Sequence, residues 1–273
     1  MGLKEDNNKK LNYSDYLKLD NLLNNQDLKS KVAGKESHDE MLFIVIHQVY
    51  ELWFKQILHE LDSVLKIFGK DDIHESRISL AVLRLDRIIE IQKILIDQIR
   101  VLETMTAMDF LEFRDYLFPS SGFQSAQFRL IENKLGLPVN RRLKYGIQDY
   151  KNVLAIDQKK VVKESEEANS LFRLIERWLE RTPFLFFKGF NFWEQYTKSV
   201  LKMLDEEEIA IKNNPNHSAD DIEFHLKEHS KASNSFEALI NSEIHDKLIS
   251  QQKKRLSHKA TQAALLIFLY RDE

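Results

Sequence analysis

The sequence predicts an all-α protein, and two observations carry that expectation. Glycine and proline number only 7 and 4 in 273 residues, well under the average usage of about 7% and 5%, and such scarcity suits long uninterrupted helices. Apolar residues also recur at three- and four-residue spacing along most of the chain, the period of a helix with one buried face. With 43% hydrophobic residues there is material for a sizeable core. The expected architecture is a bundle of long antiparallel helices, with residues 1–10 a mobile polar leader and 11–273 one helical domain.

The elements follow in order. Tyr13 to Leu23 reads as a short helix, and the polar run NNQDLKSKVAGKES leads to a long helix beginning near Asp39. Gly69 closes that helix, and Asp71 and Asp72 are expected to cap the next, whose Ile78, Val82, Leu85, Ile89, Ile96 and Ile99 keep helical spacing to about Thr104. These two helices are expected to pair antiparallel. Thr106 and Asp109 form an N-terminal capping signature for a helix that ends at FPSSGF, where Pro119 and Gly122 forbid continuation. Helical patterning resumes from Gln124 to Leu135, stops at Gly136 and Pro138, and returns through 157–180 and 190–213. The intervening RTPFLFFKGF reads as a core-filling loop. NNPNHSADD is a turn in which Ser218 caps a helix three residues ahead of Asp221.

Composition excludes several function classes. A net charge of −3 with interspersed signs offers no basic field for nucleic acid. The absence of cysteine removes disulfides, thiolate haem ligation, Cys-ligated iron–sulfur clusters and Cys-based zinc sites. No apolar run approaches the roughly 18 residues of a membrane span, and MGLKEDNNKK lacks the apolar core of a signal peptide. No membrane association and a cytoplasmic location are therefore expected. Metal motifs are equally thin. None of the nine histidines has a glutamate three residues before it, so the paired Glu-x-x-His pattern of di-iron bundles fails. The run HLKEH from His225 to His229 matches an inverted zinc-peptidase pattern in three letters, but in a strongly charged helix it reads as a solvated face. No GxSxG elbow or phosphate-binding glycine loop occurs.

Two stretches carry chemistry. In HDEMLFIVIHQVYELWFKQILHELDSVLK, from His38 to Lys66, steps of three, four and seven from His47 reach Phe43, Ile44, Tyr50, Glu51 and Phe54. The imidazole thus lies in an aromatic stripe expected to face the interior. Such a histidine is either a core residue satisfied by a carboxylate or carbonyl, or a functional group. From Leu102 to Gly136, Arg114 follows Phe110 by four residues and Phe113 by one, which places a guanidinium among aromatic rings. That cation calls for an anion, either a structural glutamate or a ligand carboxylate clamped in bidentate fashion.

LNYSDYLKLDNLL, HDEMLFIVIHQVYELWFKQILHELDSV, LETMTAMDFLEFRDYLFPSSGFQSAQFRLIENKLG, LERTPFLFFKGFNFW and RLSHKATQAALLIFLYRDE, in that order, closely resemble the tryptophan 2,3-dioxygenase family. The GFNFW block looks more like its animal-type members than the shorter bacterial ones. The resemblance spans the chain from Leu11 and implies a haem enzyme that opens the indole ring of L-tryptophan with O2 to give N-formylkynurenine. It implies that His47 meets the indole N–H, that Phe43 packs on the indole, and that Arg114 pairs with the substrate carboxylate. Phe110 would line the pocket and the Ser121 hydroxyl would lie close to haem b and substrate. Tyr13 and Tyr16 match tyrosines that reach into a neighbouring subunit's site, which implies a homotetramer. In the family, the segment after the equivalent of YRDE carries the proximal haem histidine and a glycine- and serine-rich loop. This sequence ends at Glu273 with no glycine after Gly189, and His217, His225, His229, His245 and His258 match no family ligand. The expectation from this departure is a chain truncated at its C-terminus relative to the family, with no metal ligand of its own and little haem on residues 1–273 alone. A non-catalytic family member, an indole-binding or scaffold protein without haem, is the alternative.

Overall fold

The computed structural model describes residues 11–142, 154–181, 186–187 and 190–269. It is all-α apart from one minimal strand pair, and it divides into two compact units, the first comprising residues up to 67 and 74–168, the second 68–73 and 169–273. The expected leader, residues 1–10, lies outside the described residues. Among the described residues no helix is long and apolar enough to cross a membrane.

The first unit opens with Tyr13–Leu17 (α1) and Leu19–Leu23 (α2), where one helix was expected. Lys18 between them has φ 53°, a left-handed conformation that breaks the helical ladder. Lys29–Val32 (α3) is a single turn, and Asp39–Phe68 (α4) is the long helix the sequence anticipated. Its partner Glu75–Leu102 (α5) is capped by His74, whose side chain accepts from the Ser76 N–H, rather than by Asp71 or Asp72. The pair is antiparallel, because contacts advance along one helix as they retreat along the other. Tyr50 meets the Leu95 carbonyl, Arg87 meets Glu60, and Arg84 meets Ser63. Glu60 is buried and would be costly alone, but Arg87 at 2.6 Å and the Gln56 amide at 2.7 Å satisfy it.

Ala107–Leu117 (α6) starts in a full capping box, with the Thr106 hydroxyl accepting from the Asp109 N–H and Asp109 accepting from Thr106. Those bonds hold the Asp109 carboxyl below the usual carboxylate range. A 3₁₀ turn, Gly122–Gln124, then leads to Ala126–Leu135 (α7). Gly136, at φ 87°, ends α7 in a left-handed cap that other residues rarely adopt. Ile156–Glu167 (α8) packs on α7, where the Asn133 amide donates to Ser165 at 2.7 Å. Leu61, Val64, Phe113 and Val162, all at 0% exposure, are the deepest apolar residues among those described in this unit.

In the second unit, Leu171–Glu180 (α9) packs on His258–Leu269 (α13) through Leu179, Ala260 and Ala263. The helix expected over 157–180 is thus interrupted at 168–170, with Ser170 capping α9 through a bond from the Arg173 N–H. The RTPFLFFKGF segment is described only in part. Phe186–Phe187 (β1) pairs antiparallel with Phe190–Asn191 (β2), and the phenylalanine side chains expected to fill the core lie outside the described residues. Phe192–Lys212 (α10) and Ala219–Ile240 (α11) pack together, and Ser218 and Asp221 form the expected capping box. Ser242–Ser250 (α12) follows, with His245 wholly buried.

Candidate active site

α4 and α6 of the first unit bring four predicted residues together. Phe43 and His47, one turn apart on α4, have ring centroids 4.1 Å apart. Phe110 of α6 lies 5.6 Å from Phe43, and the Arg114 guanidinium stands 5.9 Å above the Phe110 ring. Phe113, which sequence reasoning noted only as a neighbour, anchors this wall. It is fully buried, 5.5 Å from Phe43 and edge-on to Phe110 at 5.4 Å. Its signal in the sequence was the three-residue step from Phe110, which puts both rings on one helix face.

His47 shows why the stripe is a wall and not a core. The fully buried face of α4 runs through Ile46, Ile57, Leu61 and Val64, whereas Phe43, His47, Tyr50 and Phe54 are half-buried. His47 Nδ1 lies 2.7 Å from the Phe43 carbonyl. A carbonyl only accepts, so Nδ1 carries the proton and, in the neutral ring, Nε2 carries the lone pair. Nε2 has no hydrogen-bond partner among the described residues. The satisfied-histidine reading accounts for one nitrogen and leaves an acceptor free.

Arg114 differs from expectation. It is exposed rather than enclosed by rings, because Phe113 turns into the core while, among the described residues, the guanidinium passes over Phe110 alone. No burial cost therefore demands a partner, and among the described residues it makes no ion pair. Its charge remains open to a ligand.

Farther along α4 the wall is braced on both sides. Tyr50 donates to the Leu95 carbonyl at 2.5 Å, and burial pushes its phenol pKa up, so it stays a donor. Gln127 of α7 donates to the Glu51 carbonyl and carboxylate at 2.9 and 2.7 Å, and Phe128 packs on Phe54 at 5.7 Å. Ser121 is exposed and caps the 3₁₀ turn, accepting from the Phe123 N–H at 3.3 Å. Tyr13 and Tyr16 project from α1 at 74% and 70% exposure. Among the described residues no hydrogen bond or ring contact joins Ser121, Tyr13 or Tyr16 to the Phe43 group.

Among the described residues no cluster of three His, Asp or Glu side chains could hold a metal ion. Several late histidines are committed to main-chain carbonyls. His245 lies 3.0 and 2.9 Å from Ala238 and Leu256 oxygens, His258 lies 2.7 Å from Leu239, and His229 lies 2.9 Å from Leu204. His225 is exposed and stacks on His217 at 4.8 Å, in keeping with a solvated HLKEH face.

A family model described as tryptophan 2,3-dioxygenase matches residues 2–273. A tryptophan 2,3-dioxygenase of Dictyostelium discoideum is 46% identical over 261 residues, covering 96% of this chain and 65% of its own length. That of Bdellovibrio bacteriovorus is 48% identical over 263 residues, covering 96% and 73%. The Xenopus laevis protein is 48% identical over 262 residues, covering 96% and 64%. The chain thus spans 64% to 73% of the length of these relatives. A match to the family model along nearly the whole chain and 46–48% identity to these relatives establish that the chain belongs to the tryptophan 2,3-dioxygenase family.

Proposed function

We propose that the protein is a haem-dependent dioxygenase that opens the indole ring of L-tryptophan with O2 to give N-formylkynurenine, the first step of the kynurenine pathway. The observation that carries this reading is His47, whose Nδ1 is fixed on the Phe43 carbonyl while Nε2 is left as an acceptor. An indole N–H is a lone donor on a flat apolar ring, and it needs one acceptor beside an aromatic face. Nε2 orients that N–H, Phe43 and Phe110 sandwich or edge the indole, and Arg114 receives the carboxylate through its paired N–H donors.

The residues present fit haem b on the substrate side, where a half-buried aromatic wall carries an imidazole nitrogen with no other partner among the described residues. When bound, haem iron supplies the oxygen chemistry, and the protein supplies orientation and exclusion of water. Ser121 lies near haem and substrate in this reading, its O–H still able to donate while its oxygen caps the turn. No described residue is assigned as an iron ligand. Tyr13 and Tyr16, both strongly exposed on α1, reach a neighbouring subunit's site in a homotetramer. The protein works in the cytoplasm.

The test is product formation. Haem-loaded protein given L-tryptophan and O2 should accumulate the N-formylkynurenine absorbance band. An intact haem absorption band with no product would overturn the reading.

A further inference from the structure

We infer that a clasp running from the buried Glu40, Ser30 and Ser37 to the exposed Glu112 positions α6 against α4 and so sets the carboxylate-binding side of the site, an inference that rests on the function proposed above. Glu40 lies on the same face of α4 as Phe43 and His47, one and two turns earlier, and is wholly buried. A carboxylate there is tolerable only when donors saturate it. It accepts from the Lys29 N–H at 2.7 Å, the Ser30 N–H at 2.9 Å and the Ser30 hydroxyl. Ser30, itself fully buried, accepts in turn from the Ser37 N–H at 3.0 Å. Ser37 then donates its hydroxyl to Glu112 Oε2 at 3.2 Å.

The geometry makes this a tie between helices rather than loop decoration. Ser37 stands two residues before α4 begins, so the first turn of α4 and the Glu40 clasp fix where it sits. Glu112 lies in the middle of α6, flanked by Phe110 and Arg114. The Ser37 bond therefore joins the start of the His47 helix to the segment that presents both the aromatic wall and the guanidinium. The adjacent α3 also packs on α6. Phe113 holds α6 to the core by apolar contact, which resists separation but not sliding, whereas a directional hydrogen bond fixes the remaining freedom. Bidentate recognition of a carboxylate is sensitive to displacements of about 1 Å. Ser37, Glu112 and Glu40 are thus positioning residues, acting through α6.

The test uses the haem-loaded protein with Ser37→Ala, Glu112→Ala and the conservative Glu112→Gln, whose amide oxygen still accepts. Ser37→Ala and Glu112→Ala should raise the tryptophan KM, and the dissociation constant measured without O2, by about tenfold, while kcat stays within about twofold because His47 is untouched. Glu112→Gln should stay close to wild type, and the thermal midpoint should barely move in all three. An unchanged KM and dissociation constant in both alanine variants would overturn the clasp, as would an equal loss in Glu112→Gln. Crystal structures of wild type and Ser37→Ala give a second reading, independent of substrate. The Phe43–Phe110 separation should depart from 5.6 Å, and an unchanged separation overturns the clasp. A wild type that binds no tryptophan while that separation shifts would overturn the proposed function and leave the clasp standing.

Discussion

His47 in the first unit and His245 in the second are both helical histidines set against main-chain carbonyls, but they are opposite cases. His245 is wholly buried, and each of its ring nitrogens lies about 3 Å from a carbonyl oxygen, at 3.0 and 2.9 Å. Everything polar on that ring is spoken for, and its work is to join α11, α12 and the approach to α13. His47 is half-buried, spends one nitrogen on its own helix and, among the described residues, leaves the other open beside Phe43, which itself packs on Phe110 and Phe113. A histidine's burial alone therefore says little about its role. The number of ring nitrogens left without a partner separates a structural imidazole from one available to substrate.

Exchange of the two residues' roles is the strongest way to break that contrast. His47→Ala is expected to lower turnover by about 10²–10⁴-fold, the range of a positioned proton-handling group, with the haem absorption band and thermal midpoint retained. His245→Ala should instead destabilise the second unit by about 3 kcal/mol, since it opens a cavity and strands the carbonyl that accepts the ring N–H, which urea unfolding would read. Loss of stability from His47→Ala, or none from His245→Ala, would collapse the distinction.

A smaller effect sharpens the site side. Arg114→Ala should weaken tryptophan binding by about 2 kcal/mol, the low end for a charge-assisted pair because the guanidinium is exposed. The Michaelis constant should rise while folding stability holds. Unchanged kinetics would remove Arg114 from the site.

The smallest effect concerns pH. Hydrogen bonds from Thr106 lower the Asp109 pKa in the folded chain, so their stabilisation is fully present above the unfolded carboxylate value near 4. It is lost as pH falls through the lowered folded value. Amide protection in the first turn of α6, taken relative to the intrinsic exchange rate at each pH, should therefore fall below about pH 4, and Asp109→Asn should abolish that dependence. Protection unchanged across that range would show that the cap does not hold the helix end.

Much of this was legible in sequence because it depends on local rules. The α4 boundary near Asp39, the Thr106 and Ser218 caps and the α4–α5 pairing follow from spacing and capping chemistry. What failed depended on conformation or depth. Nothing in NYSDYLKLDNLL announces that Lys18 turns left-handed, and His74 displaced two aspartates as the α5 cap because the turn delivers its ring, not their carboxylates, to the Ser76 N–H. Periodicity put Phe43 and His47 on one face but could not say that this face is a half-exposed wall, since the deeper core falls one residue round the helix, at Ile46. Arg114 was expected in apolar surroundings because Phe113 precedes it, yet neighbours in a helix point about 100° apart. The Glu40 clasp was invisible because its members are spread from Ser30 to Glu112.

The second unit is discontinuous along the chain. Its first piece, 68–73, supplies Phe68, which packs edge-on against Trp178 at 5.6 Å, and Asp71, which meets Arg181 at 2.9 Å. On a ribosome that piece emerges roughly a hundred residues before the α9 residues that complete it, at about 5–20 residues per second. For several seconds Phe68 is presented at the end of α4 without Trp178 over it. The first unit can condense during that interval, since only residues up to 168 are needed. The second cannot, and its assembly is bound to the later arrival of α9, so a nick or pause between 74 and 168 would reach a unit that contains none of those residues.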